Sequence, residues 1–207
     1  MIHLPCLYPI TDRASAGDRS HAELVSLLCL GGATLVQVRE KAMTDRELFE
    51  AARDAVAAAV AGGARLILND RVDVAALVNA AGVHVGGEDL PAAAARSILG
   101  KDAIIGFSAH GVEEAISAVS SMPLNYVALG PIFPTEHASV SRAALGVLAV
   151  ERAASAIRIP LVAIGGMNLE RAREVLQAGA ASVAVLGDIM SNPDIPAAVA
   201  GYLALGG

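Results

Sequence analysis

Residues 34–41 read Thr34-Leu35-Val36-Gln37-Val38-Arg39-Glu40-Lys41, a short apolar run that breaks into charge at its C-terminal end. A near-continuous apolar run of this length is the pattern of a parallel strand buried on both faces. With Thr34–Val38 as one member, the pattern recurs at Leu7–Thr11, Leu66–Leu68, Gly82–Val85, Ile104–Phe107, Tyr126–Leu129, Leu161–Ile164 and Ser182–Leu186. Between the runs lie alanine-rich amphipathic stretches with recognisable ends. Ser20-x-x-Glu23 and Thr44-x-x-Glu47 are capping boxes, in which hydroxyl and carboxylate satisfy orphan backbone N–H groups reciprocally. Asn168 opens another helical run, and Gly179 suits the residue that closes it.

Eight strands alternating with helices in 207 residues predict an α/β chain with one domain, 1–207, folded as a (β/α)₈ TIM barrel. An open doubly wound sheet is the rival, because alternation alone does not establish closure. No Gly-x-Gly-x-x-Gly follows the first strand, which weakens the dinucleotide-binding form of that rival. Fifteen basic against 21 acidic residues give a net charge of −6, which argues against a nucleic-acid partner. A hydrophobic content of 55% excludes disorder, yet no apolar stretch reaches the length of a membrane span. Met1 to Asp12 lacks the basic start of a secretory leader, and Cys6 and Cys29 are too few for a disulfide framework. A cytoplasmic protein is expected. Apolar helix positions leave room for a homo-oligomer.

In such a barrel, function collects at the C-terminal strand ends. Gln37, Arg39 and Lys41 are spaced by two and point to one side of an extended backbone. The chain has only two lysines, Lys41 and Lys101, so a lysine beside an arginine here suggests an anion site, a polyphosphate above all. The plainer reading is a rim ion pair with Glu40 or Glu47. Asp70 and Asp89 follow adjacent strands and form a reasonable Mg²⁺ site beside a phosphate. Each also stands where a helix begins, so helix capping is an equal reading. Gly165-Gly166 and Gly187 lie where barrels often bind phosphate through backbone N–H groups, or else simply turn. Ser108 ends strand five. His84 and His110 read as satisfied structural groups.

The ordered set QVREK at 37–41, NDR at 69–71, GVHVG at 82–86 with Asp89, GFSAH at 106–110, LGPIFPT at 129–135 and VAIGGM at 162–167 resembles the thiamine phosphate synthase family. This group also includes the thiazole tautomerase TenI. The resemblance implies a transferase of thiamine biosynthesis. It would join 4-amino-5-hydroxymethyl-2-methylpyrimidine diphosphate to 4-methyl-5-(2-phosphoethyl)thiazole, releasing pyrophosphate by a dissociative, Mg²⁺-assisted route. Carried over by position, the substrate-contacting set is Gln37, Val38, Arg39, Glu40, Lys41, Asn69, Ser108, Thr135, Gly166, Leu186 and Gly187. Gln37, Arg39 and Lys41 would hold the diphosphate with help from Ser108, while Asn69 would meet the aminopyrimidine. Arg39, Lys41 and Ser108 would be catalytic, Asp70 and Asp89 would bind Mg²⁺, and Thr135 and Gly166 would take the thiazole phosphate.

The chain departs from the family pattern at several places. Thr135-Glu136-His137-Ala138 replaces the usual Thr-x-Thr-Lys, removing a hydroxyl and a cation that His137 or Arg142 would have to supply. Gly187 replaces a serine, Gly87 replaces a glutamine, and Asp188 brings an anion that, if turned inward, would repel a phosphate. Two alternatives follow. One is a TenI-like tautomerase, although Pro131 occupies the position of that branch's catalytic histidine. The other is a non-catalytic protein that binds a pyrimidine or thiamine phosphate.

Overall fold

The computed structural model describes residues 2–136 and 142–206; His137 and Ala138 lie outside them. The elements run in chain order as β1 (Leu7–Thr11), α1 (Arg13–Ala16), α2 (His21–Leu30), β2 (Leu35–Val38), α3 (Asp45–Ala61), β3 (Arg65–Asn69), α4 (Val72–Leu77), β4 (Gly82–Val85) and α5 (Ala92–Leu99). They continue as β5 (Ile104–Ala109), α6 (Val112–Ser121), β6 (Tyr126–Leu129), α7 (Val147–Ala156), β7 (Leu161–Ile164), α8 (Leu169–Gln177), β8 (Ser182–Val185), α9 (Gly187–Met190) and α10 (Ile195–Leu203). The eight strands close into a parallel barrel, with β1 paired to both β2 and β8. The open-sheet rival is therefore excluded. No helix among the described residues is long and apolar enough to cross a membrane.

Local signals set the helix ends. Both capping boxes form: Glu23 and Glu47 accept from the backbone N–H groups of Ser20 (2.7 Å) and Thr44 (2.9 Å), and each hydroxyl accepts in return. Each cap contributes about 1 kcal/mol. The Asn168 side chain accepts from Arg171 N at 2.9 Å, and Gly179 sits at φ +101° just past α8.

Strand alternation divides the core in two. Outward residues such as Leu7, Val36, Val38, Leu66, Leu68 and Val85 pack against the helices. Inward residues, among them Tyr8, Ile10, Leu35, Ile67, Ile104, Tyr126 and Val162, fill the barrel. Leu68, 1% exposed, belongs to the first layer; Leu68→Ala would cost roughly 2–5 kcal/mol. Two tyrosines meet edge to face inside the barrel, with ring centroids 5.7 Å apart. Gly106, paired in register with Tyr126, makes this possible, since a Cβ there would collide with the phenol ring. The barrel is thus plugged below, and its C-terminal end stays open.

Candidate active site

The open end is a cavity of about 860 Å³. Gln37, Arg39 and Lys41 project into it from the end of β2. Between them, Val38 faces the helical layer and does not line the cavity. Glu40 also turns away. Its carboxylate accepts from the N–H groups of Lys41 and Ala42, both at 2.8 Å, and lies 3.3 Å from His21 Nε2. Glu40 therefore ties down the loop that carries Lys41, while Glu47 is engaged in its capping box. Lys41 Nζ instead lies 3.5 Å from Asp70 Oδ2.

Asn69 and Asp70 are consecutive, and strict alternation would place them on opposite faces. Both line the cavity because Asp70 adopts φ +62°, a left-handed conformation that costs a non-glycine residue on the order of 1 kcal/mol. Burial, followed by the neighbouring Asp89 carboxylate, pushes the Asp70 carboxyl up to about 6, against the pull of Lys41. Asp89 accepts from Gly86 N at 2.7 Å. Neither aspartate caps α4 or α5, so the capping alternative is not realised.

Two half-buried carboxylates with Lys41 as their neighbouring cation are a donor set short of positive charge. A hard divalent cation that keeps several waters and shares a substrate phosphate fits them. Among the described residues no cluster of three or more His, Cys, Asp or Glu side chains could hold a metal, so protein oxygens would supply only part of the coordination.

Ser108 lies within β5, which continues to Ala109. Its Oγ is 2.8 Å from His84 Nε2. His84 is 6% exposed and stacks on Tyr126; burial lowers its pKa to about 4, so the ring is neutral near pH 7. His110 lies at the rim, its Nδ1 3.2 Å from Gly130 O.

The β6–β8 side is built differently. Thr135, Gly166, Leu186 and Gly187 all line the cavity there. The segment after β6 is laid against the end of β7, with Ile132 N donating to Ile164 O (2.8 Å) and Phe133 N to Gly165 O (3.2 Å). Gly166 has φ +63°, and a Cβ on it would strike Pro134 O and come within 2.9 Å of Phe133 Cβ. Asp188 lines the cavity while its Oδ2 accepts from Tyr202 Oη at 2.7 Å, so the sequence's misplaced anion is held at the rim by α10. Arg142 also lines the cavity.

The strand pattern does not single out three residues in and beneath the cavity, Arg171, Tyr8 and Tyr126. Arg171 donates to Gly166 O at 2.7 Å and lies over the Phe133 ring, bringing a cation to the glycine-rich side. Its place in the first turn after Gly165-Gly166-Met167-Asn168 was the available signal. Tyr8 reaches the cavity floor and Tyr126 lies buried beneath it against His84; the available signal is that a tyrosine at an inward strand position needs a hydroxyl partner.

The family model described as thiamine monophosphate synthase matches residues 7–189. The thiamine-phosphate synthase of Clostridium novyi is 42% identical over 192 residues, covering 93% of this chain and 94% of that protein. That of Azorhizobium caulinodans is 44% identical over 189 residues, covering 91% of this chain and 89% of that protein. Among solved structures, thiamine phosphate pyrophosphorylase from Pyrococcus furiosus superposes with a TM-score of 0.86 at 34% identity, covering 96% of this chain and 94% of that one. With the match spanning the barrel and every strand end that builds the cavity, the chain belongs to the thiamine monophosphate synthase family.

Proposed function

We propose that this chain is a thiamine phosphate synthase, a transferase that couples hydroxymethylpyrimidine diphosphate to thiazole phosphate and releases pyrophosphate. The observation that carries this reading is the meeting of Arg39 and Lys41 with the Asp70–Asp89 pair in one cavity, Lys41 lying 3.5 Å from Asp70. Arg39 and Lys41 bind the diphosphate and hold fixed positive charge where negative charge grows as it leaves. Asp70 and Asp89 would hold Mg²⁺, which when bound supplies further charge to the departing diphosphate. Asn69 orients the aminopyrimidine, and Ser108 completes that end of the site. Thr135, Gly166, Leu186 and Gly187 receive the thiazole phosphate, chiefly through backbone N–H groups. Val38 and Glu40 contribute backbone only, since their side chains face the helices and His21.

The attacking thiazole nitrogen brings its own lone pair and loses no proton, so the cavity needs no general base. Two half-buried free thiols, Cys6 and Cys29, suit a cytoplasmic setting.

The decisive assay is pyrophosphate release with both substrates and Mg²⁺, with the product identified as thiamine phosphate. Turnover that vanishes when either substrate or Mg²⁺ is withheld is expected. Binding of the pyrimidine diphosphate without turnover would overturn the catalytic reading in favour of a binding protein.

A further inference from the structure

Five polar side chains form one line through the floor of the cavity. Gln37 Nε2 lies 2.9 Å from Tyr8 Oη, Tyr8 Oη 2.9 Å from Tyr126 Oη, Tyr126 Oη 2.9 Å from His84 Nδ1, and His84 Nε2 2.8 Å from Ser108 Oγ. The line starts on β2, crosses the barrel through β1 and β6, and returns through β4 to β5. Its interior is dry: Tyr8 and Tyr126 are at most 1% exposed.

We propose that Tyr126 and His84 are positioning residues that couple the amide orientation of Gln37 to the hydroxyl of Ser108, so that Ser108 donates to the substrate only when Gln37 turns its carbonyl there. The inference rests on the site reading above, in which Gln37 and Ser108 touch the pyrimidine diphosphate. Each hydroxyl in the line carries one hydrogen, and so does a neutral imidazole. A buried hydroxyl hydrogen pointed at no acceptor is strongly disfavoured. One link therefore fixes all the others.

If the Gln37 amide donates inward, donation runs from Tyr8 to Tyr126, to His84 Nδ1, and from Nε2–H to Ser108. Ser108 then points its own hydrogen into the cavity, and Gln37 presents its carbonyl beside its second N–H. If the Gln37 carbonyl faces Tyr8, every link reverses. Gln37 now offers N–H groups to the cavity, and Ser108 offers only lone pairs. Ser108 therefore switches between donor and acceptor as the Gln37 amide turns over. A diphosphate, which only accepts, leaves one acceptor unmatched in either state, the Gln37 carbonyl in the first and the Ser108 lone pairs in the second. One of the two must face a hydrogen-bond donor on the substrate, so the site selects a ligand that carries a donor as well as the anion.

The test is a double-mutant cycle on the dissociation constant of the pyrimidine diphosphate, measured by calorimetry so that turnover is not required. Tyr126→Phe keeps the ring and cuts the line. It should weaken binding about tenfold in the wild-type background, the scale of one lost buried hydrogen bond, and less than about twofold once Ser108→Ala has removed the far end. Equal weakening in both backgrounds would mean a merely structural hydroxyl and would overturn the coupling. An unchanged affinity in Ser108→Ala alone would sink the site reading, and the coupling with it.

A second readout needs no folded Tyr126 variant. Nitrogen-15 shifts of His84 should report one neutral tautomer in the wild-type protein. In Gln37→Glu, whose carboxylate can only accept, the tautomer should carry its proton on Nδ1. A tautomer mixture in the wild type, or an Nε2–H tautomer in Gln37→Glu, would overturn the proposal.

Discussion

On the β2–β5 side of the mouth the polar atoms belong to side chains at strand ends: Arg39, Lys41, Asp70, Asp89 and Ser108. On the β6–β8 side much of the lining is glycine: Gly165 and Gly166, held by backbone hydrogen bonds between the loop after β6 and the end of β7, and Gly187 at the start of α9. A site made of side chains depends on residue identity, because each charge has one source. A site made of backbone depends on conformation and tolerates side-chain replacement as long as the turn survives. This suits where the family pattern is kept and where it is broken: on the first side Gly87 alone departs and the charged motifs are kept, whereas Gly187 and Asp188 belong to the second.

The sharpest test of the side-chain half is Asp70→Asn. Asn tolerates the left-handed backbone conformation, so the fold should persist, while Mg²⁺-dependent turnover should fall by about a thousandfold or more. Pyrophosphate release and a melting curve measured together check this, and preserved turnover would remove Asp70 from the metal site.

Acid should also act through this half. His84 has its pKa lowered to about 4 by burial, against about 6.5 when unfolded, so the unfolded state takes up its proton first as pH falls. The stability tied to the neutral ring is fully present above pH 6.5 and is lost on the way to pH 4, up to about 3 kcal/mol. Urea melts at pH 7, 5.5 and 4.5 should show the decline, and His84→Gln should flatten it.

The backbone half breaks differently. Gly166→Ala places a Cβ against Pro134 and Phe133 at a positive φ, a strain of roughly 1–3 kcal/mol. The kcat/KM for the thiazole phosphate should drop about a hundredfold, mainly through KM; equal damage to both substrates' KM values would dissolve the contrast between the two sides.

Arg39→Ala should raise the KM for the pyrimidine diphosphate by about tenfold to fiftyfold and leave the second substrate unaffected, the scale of a charge-assisted contact. The smallest effect is expected at Asp188→Asn, where loss of a rim anion should improve the thiazole phosphate KM by about twofold to fivefold. A worsened KM would make the Tyr202-anchored carboxylate a support of the loop instead.

Much of the barrel was legible because two periods, apolar strand runs and capped amphipathic helices, recur without interruption. Closure became visible only through the β1–β8 pairing, since a sequence carries no mark of which edge strands meet. Within the site, alternation found Gln37 on β2, and Arg39 and Lys41 reach the same cavity from the loop that follows it. It was silent on how Asp70 escapes the strand's parity, because a positive φ at a non-glycine residue is a tertiary outcome. Tyr8, Tyr126 and His84 were hidden for the opposite reason. They occupy strand positions that look like core, and their hydroxyl and ring-nitrogen partners come from other strands.

The parity of β2 also limits how this molecule can change over evolutionary time. Deleting the codon for Leu35 would turn Val36 and Val38 toward the barrel axis and send Gln37 and the arginine after it outward against the helices. Length variation in such a chain is therefore confined to its loops, and its chemistry can drift only by exchanging one residue for another in place.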